Sequence, residues 1–320
     1  MLAERRPTAH VSEQQGSGPL TLLSIFVSSI LPVFLVASVG FALARRLRIS
    51  AVQLSYITFN VLAPCLVFEI LLTASVGDVD FWRLVLFCVL MTATMGTLAG
   101  VGALLLRLDR PTRAGFMLVV MFSNNANYGL PLVLFAFGED ALVFATTYFV
   151  TSAGLTYTVG VLVAGSGHRT LAQALVRVVK VPTIYGAVAA GVLAALAVPI
   201  PTFVMRPVSL LSDAAVPMML LVLGMQLAKA DRPTTLPVVG SATIFRLLVA
   251  PVLAFAGADL VGLSGAARQA AILQASTPAA VITTILALEH SVAPRFVTSV
   301  VVTSTVFSPV TLALLIWWLQ

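Results

Sequence analysis

Residues 123–132 read Ser-Asn-Asn-Ala-Asn-Tyr-Gly-Leu-Pro-Leu, and they lie inside an apolar run from about Ala114 to Phe137. The asparagine amides can donate and accept hydrogen bonds. Pro131 removes a backbone donor and clashes with the preceding helical turn, and Gly129 weakens a helix further. At the depth of a bilayer, backbone groups freed by such a break must be satisfied by protein, water or a ligand. The stretch therefore predicts a binding site as well as a broken helix.

A second stretch of the same kind, Gln-Ala-Ser-Thr-Pro-Ala-Ala at residues 274–280, is again small, polar and interrupted by proline. Where two broken helices cross near the midplane, their N-terminal ends present unpaired N–H groups and positive dipole ends. Amides and hydroxyls beside those ends could hold a small carboxylate without a fixed countercharge. The alternative is that the polar residues only tie neighbouring helices together. The residues expected to bind the anion are Asn124, Asn125, Asn127, Gly129, Pro131, Ser276, Thr277, Pro278, Ile282 and Thr283.

Other polar or charged side chains within the apolar runs are candidates for ion coupling or for lining a pathway, because ionisable residues are costly in lipid. Glu69 and Asp213 lie towards the predicted outer ends of their spans, where they could simply reach the interface. Arg246 lies deeper, and it either snorkels or pairs with a carboxylate or a helix C-terminus. Tyr148 and Tyr157 could line a pathway, with hydroxyl-mediated helix packing as the alternative. The main candidates for coupling or for lining a pathway are Asn60, Glu69, Tyr148, Asp213 and Arg246.

The composition indicates a membrane protein with many spans. The 320 residues are 59% hydrophobic and only 9% charged, with a mean hydropathy of +1.05, whereas a soluble domain carries about 25% charged residues. The net charge of +6 does not predict nucleic-acid binding, because the basic residues cluster in short loops between apolar runs. Cys65 and Cys88 fall within apolar runs, so no disulfide framework is expected. With no nucleotide-binding loop, catalytic triad, paired-carboxylate site or metal-ligand spacing, we expect no enzyme, cofactor or metal.

Ten apolar runs are long enough to span a bilayer. Residues 1–19 are polar and are expected to form a disordered tail, and residues 165–180 are expected to form a cytoplasmic linker between the halves 20–164 and 181–320. Of the 18 Lys and Arg residues, twelve lie in one set of loops, five lie in the opposite set with the N-terminal tail, and the last is Arg246. This bias predicts that both termini lie outside the cytoplasm. The spans run roughly over residues 20–44, 51–73, 84–106, 114–137, 141–164, 181–199, 207–228, 235–259, 267–288 and 296–319.

The two halves of the chain resemble each other in the placement of their prolines. Pro64 in span 2 and Pro217 in span 7 each follow a polar residue, Asn60 or Asp213, by four positions. A similar offset, about 152 residues, carries Leu130-Pro131 onto Ile282-Thr283, directly after the second polar stretch. Because five spans is an odd number, two such copies enter the membrane in opposite directions, as in many secondary transporters. The sequence thus predicts an all-α membrane protein of ten helices, a 5+5 inverted repeat with broken, crossing helices 4 and 9, although recurring prolines could also be coincidence.

Residues 124–132 resemble the fourth span of the auxin efflux carrier family, whose pattern is an Asn-Thr pair followed by Gly-(Leu/Ile)-Pro-Leu. Residues 276–289 resemble the family's ninth span, and residues 214–224 resemble the bacterial form of its seventh. The likeness covers about residues 20–320. It implies a bile-acid-symporter-like fold, usually a homodimer, with elevator-type transport. Spans 3–5 and 8–10 would form a transport bundle that holds an organic anion and moves against a scaffold of spans 1, 2, 6 and 7.

Two departures from the family pattern bear on the substrate. Asn125 replaces the family's Thr, and Thr283 stands where plant carriers have a second crossing Pro. Together with the absence of a long central loop, they indicate a bacterial, malonate-transporter-like carrier rather than an indole-acetate carrier. We expect a secondary transporter of a small organic anion, such as malonate, malate or an auxin-like acid, in the inner (plasma) membrane. The alternatives are a sodium-coupled carrier of a larger anion on the same fold and an anion-binding receptor that does not transport.

Overall fold

The computed structural model describes residues 22–47, 49–72, 79–165, 176–228 and 236–320. Helices make up almost all of these ranges, because long apolar segments satisfy their own backbone groups in this form. One isolated antiparallel bridge joins Ser123 to Ala279. The helices are α1 (Leu22–Arg46), α2 (Ala51–Leu72), α3 (Val79–Leu105), α4 (Arg110–Met121), α5 (Asn125–Ala164), α6 (Pro182–Ala195), α7 (Thr202–Leu227), α8 (Leu236–Val261), α9 (Gly265–Ser276), α10 (Ile282–Glu289) and α11 (Pro294–Leu319).

Each of the ten predicted spans coincides with helical residues. Spans 4 and 9 are the interrupted ones, since span 4 is shared by α4 and the start of α5, and span 9 by α9 and α10. Gly138, at φ 80°, bends α5 between spans 4 and 5, a backbone conformation that glycine adopts without strain. Within the described ranges, seven helices are long and apolar enough to cross a membrane, and α6 is a shorter apolar helix. The arrangement of ten passes as two opposed sets of five stays a prediction.

The outer surface of the protein is apolar. Leu105, Phe203 and Leu260 are 78%, 78% and 79% exposed, and many other large apolar side chains are exposed on the same helices. Soluble proteins rarely leave such a large apolar surface in water. Lipid must therefore cover it, and the chain is a multi-pass membrane protein.

The helices pack as two groups, and the crossing described below lies within the second. In the first group, α1 packs along α7, and α2 packs on α6 and α7. A Cβ at Gly224 would lie 1.6 Å from the Ala37 carbonyl oxygen, and one at Gly40 would lie 2.1 Å from that of Leu221, so α1 and α7 touch backbone to backbone. In the second group, α9 packs on α5, α3 packs on α4 and α5, and α8 packs on α3 and α9.

The orientation of the protein in the membrane stays a prediction, and so does the disorder of residues 1–19, which lie outside the described residues together with most of the 165–180 linker. Single cysteines at Ser12 and Ser166, in a background that lacks Cys65 and Cys88, test the orientation. We expect an impermeant thiol reagent to label Ser12→Cys from outside the cell and Ser166→Cys only after the cytoplasmic side is opened, because the charge bias places them on opposite sides. Labelling of both from the same side would contradict the topology and the inverted repeat.

Candidate functional site

The two interrupted spans cross each other through their extended segments. The segment between α4 and α5 pairs in antiparallel fashion with the segment between α9 and α10. The Asn124 N–H donates to the Pro278 carbonyl (2.7 Å), and the Ala280 N–H donates to the Phe122 carbonyl (2.9 Å). Main-chain hydrogen bonds thus satisfy groups that the two breaks would otherwise leave unpaired.

The interruption in span 4 lies upstream of Pro131, at residues 122–124, rather than at the proline itself. Pro131 follows a π-helical turn over Asn125–Gly129, in which the Leu130 N–H donates to the Asn125 carbonyl five residues back. A proline ring clashes with the carbonyl four residues before it in an α-helix, and a π-helical turn changes that spacing. The proline is therefore accommodated within the start of α5.

A cavity of ≈ 660 Å³ lies beside the crossing. The end of the cavity at the crossing is lined by polar residues at or just before the start of α5. The opposite end is lined by residues near the start of α6 and the end of α10. The polar residues at the crossing are Ser123, Asn124, Asn125 and Asn127, and the charged residues at the other end are Arg177, Lys180 and Glu289.

Two amide donors in this cavity have no hydrogen-bond partner. The Nδ2 atoms of Asn124 and Asn125 are buried and unpaired, in residues that are 4% and 6% exposed. Asn127 donates through Nδ2 to Gln226 Oε1 at 3.5 Å, and its buried Oδ1 is an acceptor without a partner. Buried polar groups in proteins are nearly always paired, so two free donors beside one cavity indicate a ligand that accepts hydrogen bonds.

The starts of two helices reach the same end of the cavity. Ala126 lies in the first turn of α5, and Val281 and Ile282 lie at the start of α10; all three line the cavity. The first N–H groups of a helix lack intrahelical acceptors and carry the positive end of the helix dipole. The crossing end of the cavity is therefore electropositive although no side-chain cation lines it.

Charged side chains surround the other end of the cavity. Arg177 pairs with Glu289 at 2.8 Å, and Lys180 is exposed beside them. The pair is partly exposed, so it contributes little to stability. Two cations and one carboxylate leave a net positive charge, which favours the approach of anions. These residues belong to loops that the charge bias assigns to the cytoplasm, so the cavity opens towards the predicted cytoplasmic side.

Four of the ten residues predicted to bind the anion line the cavity: Asn124, Asn125, Asn127 and Ile282. Three of the others turn their hydroxyls back onto their own segment. Ser276 donates to the Ile272 carbonyl (2.6 Å), Thr277 to Gln274 (3.0 Å) and Thr283 to Ala280 (2.6 Å). The residues that do not line the cavity are Gly129, Pro131, Ser276, Thr277, Pro278 and Thr283.

Gly129 shapes the crossing through the absence of a side chain. A Cβ at this position would lie 1.9 Å from Gln274 Oε1, so only glycine fits without a shift of the α9 side chain. Gln274 is buried, and its Nε2 donates to the Ala145 carbonyl beyond the bend in α5 (3.1 Å). The Gln274 side chain therefore bonds α9 to the later part of α5 and packs closely against Gly129 near its start.

Arg246 is buried rather than snorkelling to the interface. It is 2% exposed and lies in a π-helical turn of α8. Its guanidinium donates to the carbonyls of Val120 (2.8 Å), Thr277 (3.0 Å) and Ala275. These carbonyls belong to the ends of α4 and α9, where a helix has no N–H donors left to pair with its last carbonyls and carries the negative end of its dipole. The sequence left open whether Arg246 snorkels or pairs with a carboxylate or a helix C-terminus, and in the structure it contacts helix C-termini.

The remaining coupling or pathway candidates are dispersed. Asn60 lines the cavity, although its amide also donates to the Tyr56 carbonyl of its own helix (2.8 Å). Glu69 accepts a hydrogen bond from Ser209 between α2 and α7, and Asp213 is exposed. Tyr148 is buried and does not line the cavity.

Tyr157, which the sequence offered as a pathway residue, lines the cavity. Several other lining residues were not selected from the sequence. Thr156 is one of many hydroxyl-bearing residues in span 5, and that concentration was the signal that could have selected it. Thr183 and Gln226 also line the cavity, but they stand alone among apolar residues. Only the three-dimensional packing brings them to the site.

Comparison with known proteins places the chain in a family of carriers. A sequence model described as "Membrane transport protein" matches residues 25–174 and 166–316. An uncharacterized transporter of Methanocaldococcus jannaschii is 26% identical over 252 residues, which cover 74% of this chain and 79% of that protein. An uncharacterized transporter of Methanothermobacter thermautotrophicus is 27% identical over 270 residues, covering 82% and 87%. The chain therefore belongs to the membrane transport protein family, which comprises the auxin efflux carriers and their relatives, and this confirms the resemblance based on residues 124–132.

Proposed function

We propose that this membrane transporter is a secondary carrier of a small organic anion, with a carboxylate bound where the two interrupted helices cross. The observation that carries the proposal is the pair of unpartnered amide donors, Asn124 Nδ2 and Asn125 Nδ2, buried beside the cavity. An anion offers only acceptors, and hydrogen bonds to a charged group are stronger than those between neutral groups. The starts of α5 and α10 add positive potential at the same place. The opening towards the predicted cytoplasmic side represents one end state of the transport cycle.

The packing of the helices supports an elevator-type movement within this proposal. The α1, α2, α6 and α7 group corresponds to the proposed scaffold, and the group that contains the crossing corresponds to the proposed transport bundle. The cavity is lined from both groups, by Asn60 and Gln226 on one side and by the crossing on the other. Sliding of the second group past the first would expose the bound anion on the opposite side. The inverted repeat and the homodimer are parts of the same proposal.

The proposal is tested with the purified full-length protein and a panel of mono- and dicarboxylates, with and without sodium. A ligand that binds the folded state raises the melting temperature by mass action. We expect at least one carboxylate to do so, and we expect protein-containing liposomes to accumulate or release that carboxylate. Binding without flux would favour the receptor alternative, and binding only in sodium would favour the sodium-coupled one. An absence of both binding and flux would contradict the proposal.

Substitutions at Asn124 test the position of the carboxylate. We expect Asn124→Ala to weaken carboxylate binding by about ten- to a hundredfold, because a hydrogen bond to a charged group contributes about 1.5–3 kcal/mol. We expect the variant to fold, because the main-chain N–H and carbonyl of residue 124 keep their hydrogen bonds to the Pro278 carbonyl and the Gly129 N–H. Asn124→Asp should weaken binding further, because it places a second negative charge beside the ligand at almost the same volume. Affinity is measured by ligand-induced melting shifts.

Asn60→Asp is the matched control for Asn124→Asp. Asn60 lines the same cavity, but it is half-buried and its amide is already bonded to Tyr56. A new charge there is better screened by water, so we expect a smaller loss of affinity. If Asn124→Asp bound the carboxylate as well as the wild type does, the carboxylate would have to lie elsewhere.

A further inference from the structure

Charged groups are distributed unevenly around the crossing. On the side away from the cavity, the Arg246 guanidinium contacts the C-terminal carbonyls of both α4 and α9. In the part of the chain that the structure describes, no other charged side chain is buried to this degree. On the cavity side, the starts of α5 and α10 are present without a buried carboxylate. Two helix C-termini therefore lie on one side of the crossing and two helix N-termini on the other, but only the C-termini contact a charged side chain.

The charges of these groups can be compared directly. A helix end carries roughly half an elementary charge, positive at the N-terminus and negative at the C-terminus. The two C-terminal ends together amount to about −1, which the single positive charge of Arg246 offsets. The two N-terminal ends together amount to about +1, and this charge faces the cavity without a partner. Without Arg246, the negative charge of the two C-terminal ends would cancel the positive charge of the two N-terminal ends, and the crossing would carry no net charge.

We propose that Arg246 is a built-in countercharge for the paired helix C-termini, which leaves the paired N-termini to complement one negative charge, so that the site takes a monovalent organic anion. This inference rests on the proposed function and specifies its substrate class. Arg246 acts here as a positioning residue, because it contacts helix ends and does not line the cavity.

The cavity lining supports one buried carboxylate rather than two. The unpaired donors Asn124 Nδ2 and Asn125 Nδ2 lie at one end of the cavity, and two N–H donors match the two oxygens of one carboxylate. The side-chain cations are at the opposite end, where Arg177 is paired with Glu289 and Lys180 is exposed to solvent. A second carboxylate held at the crossing would be buried without a countercharge, which is costly. A neutral ligand would leave the positive helix ends unpaired.

Ligands that share a skeleton but differ in charge test this inference on the full-length wild-type protein. Malonate, malonamate and malonamide carry two, one and no negative charges at a pH where every free carboxyl group is ionised. Succinate, succinamate and succinamide repeat the series on a longer skeleton. We expect the monoanion of a series to bind at least about tenfold more tightly than its dianion and its neutral diamide, as measured by concentration-dependent melting shifts.

Two substitutions at Arg246 test whether this residue sets the preference. Arg246→Lys keeps the charge, and we expect it to keep the order of the three ligands even if the protein is less stable. Arg246→Gln removes the charge and keeps an amide donor, and we expect the affinity ratio of monoanion to neutral diamide to fall by about tenfold or more. A general loss of structure would lower all affinities and leave that ratio unchanged. If Arg246→Gln does not fold, the wild-type series still decides whether the site takes a monovalent anion, and an Arg246→Lys variant that folds but loses the order of the three ligands would show that the charge at this position does not set the preference.

The possible outcomes separate this inference from the function on which it rests. A wild-type preference for the dianions overturns the monovalent site while leaving an anion carrier in place. An Arg246→Gln variant with the wild-type affinity ratio shows that Arg246 is not the countercharge. Equal binding of anions and neutral diamides, or no response to any of the six probes, counts against the proposed function itself and removes the basis of the inference.

Discussion

Arg246→Met should be among the most destabilising single substitutions in the protein. Methionine is unbranched and replaces the aliphatic stem of arginine, but it is shorter and leaves the space of the guanidinium unfilled. The carbonyls of Val120, Ala275 and Thr277 would lose their donor at a depth where water cannot replace it. Each buried polar group left without a partner costs about 1–3 kcal/mol, so we expect a total loss of several kcal/mol and a clearly lower melting temperature in detergent.

Arg83→Met is the matched control for this prediction. Arg83 also donates to a helix-end carbonyl, that of Gly262 (3.1 Å), and pairs with Asp80, but its side chain is 44% exposed. Water can solvate the groups that it leaves, and exposed ion pairs contribute about 0–1 kcal/mol. We expect the melting temperature of Arg83→Met to stay close to that of the wild type. If Arg246→Met melted at the same temperature as the control, the three carbonyls would not depend on the guanidinium.

The contact between α1 and α7 gives the second prediction with a large effect. We expect Gly224→Ala to destabilise the protein by about 1–3 kcal/mol or more, because inserting a methyl group into a close-packed interior forces neighbouring atoms apart. Here the neighbour is the Ala37 carbonyl oxygen, only 1.6 Å from the new Cβ. This oxygen belongs to the main chain, so no rotamer change can relieve the clash, and α1 must move away from α7. The melting temperature of the purified variant measures the effect.

Gly191→Ala, in α6, controls for the general effect of replacing a helical glycine. A Cβ at Gly191 meets no atom within 4 Å. Alanine favours a helix by up to about 1 kcal/mol relative to glycine, so the control should be as stable as the wild type or slightly more stable. Gly40→Ala tests the same contact from the other helix and should act like Gly224→Ala. A Gly224→Ala variant that melts with or above Gly191→Ala would mean that the two helices are further apart than described.

The positions of the helices could be predicted because they depend on local properties of the sequence. Runs of apolar residues locate the spans, and polar residues beside Pro278 or before Pro131 locate the two interruptions. The exact point of the first interruption could not be predicted in the same way. A π-helical turn over Asn125–Gly129 accommodates Pro131, and such a turn depends on the surrounding packing as much as on the residues within it.

The sequence also could not show which polar residues line the cavity and which only join neighbouring segments. Thr283 and Asn124 are both polar residues in interrupted spans, but the Thr283 hydroxyl bonds to the Ala280 carbonyl, while the Asn124 amide nitrogen has no partner. Serine and threonine readily bond to the preceding turn of their own helix, whereas an asparagine amide reaches further. For Arg246, the sequence indicated a partner at depth, but the identity of that partner required the packing of α8 against the ends of α4 and α9.

The hydrogen bonds that join the two crossing segments bear on how this family diversifies. They run between main-chain atoms, from Asn124 to Pro278 and from Ala280 to Phe122, and side-chain identity does not enter into them directly. Residues along these segments can therefore be exchanged during evolution while the crossing keeps its geometry. Asn125, which stands where the pattern that this chain resembles has Thr, places an unpaired amide beside the cavity. Descendants of one ancestral carrier can thus acquire new substrates by changing the side chains around a crossing whose backbone stays the same.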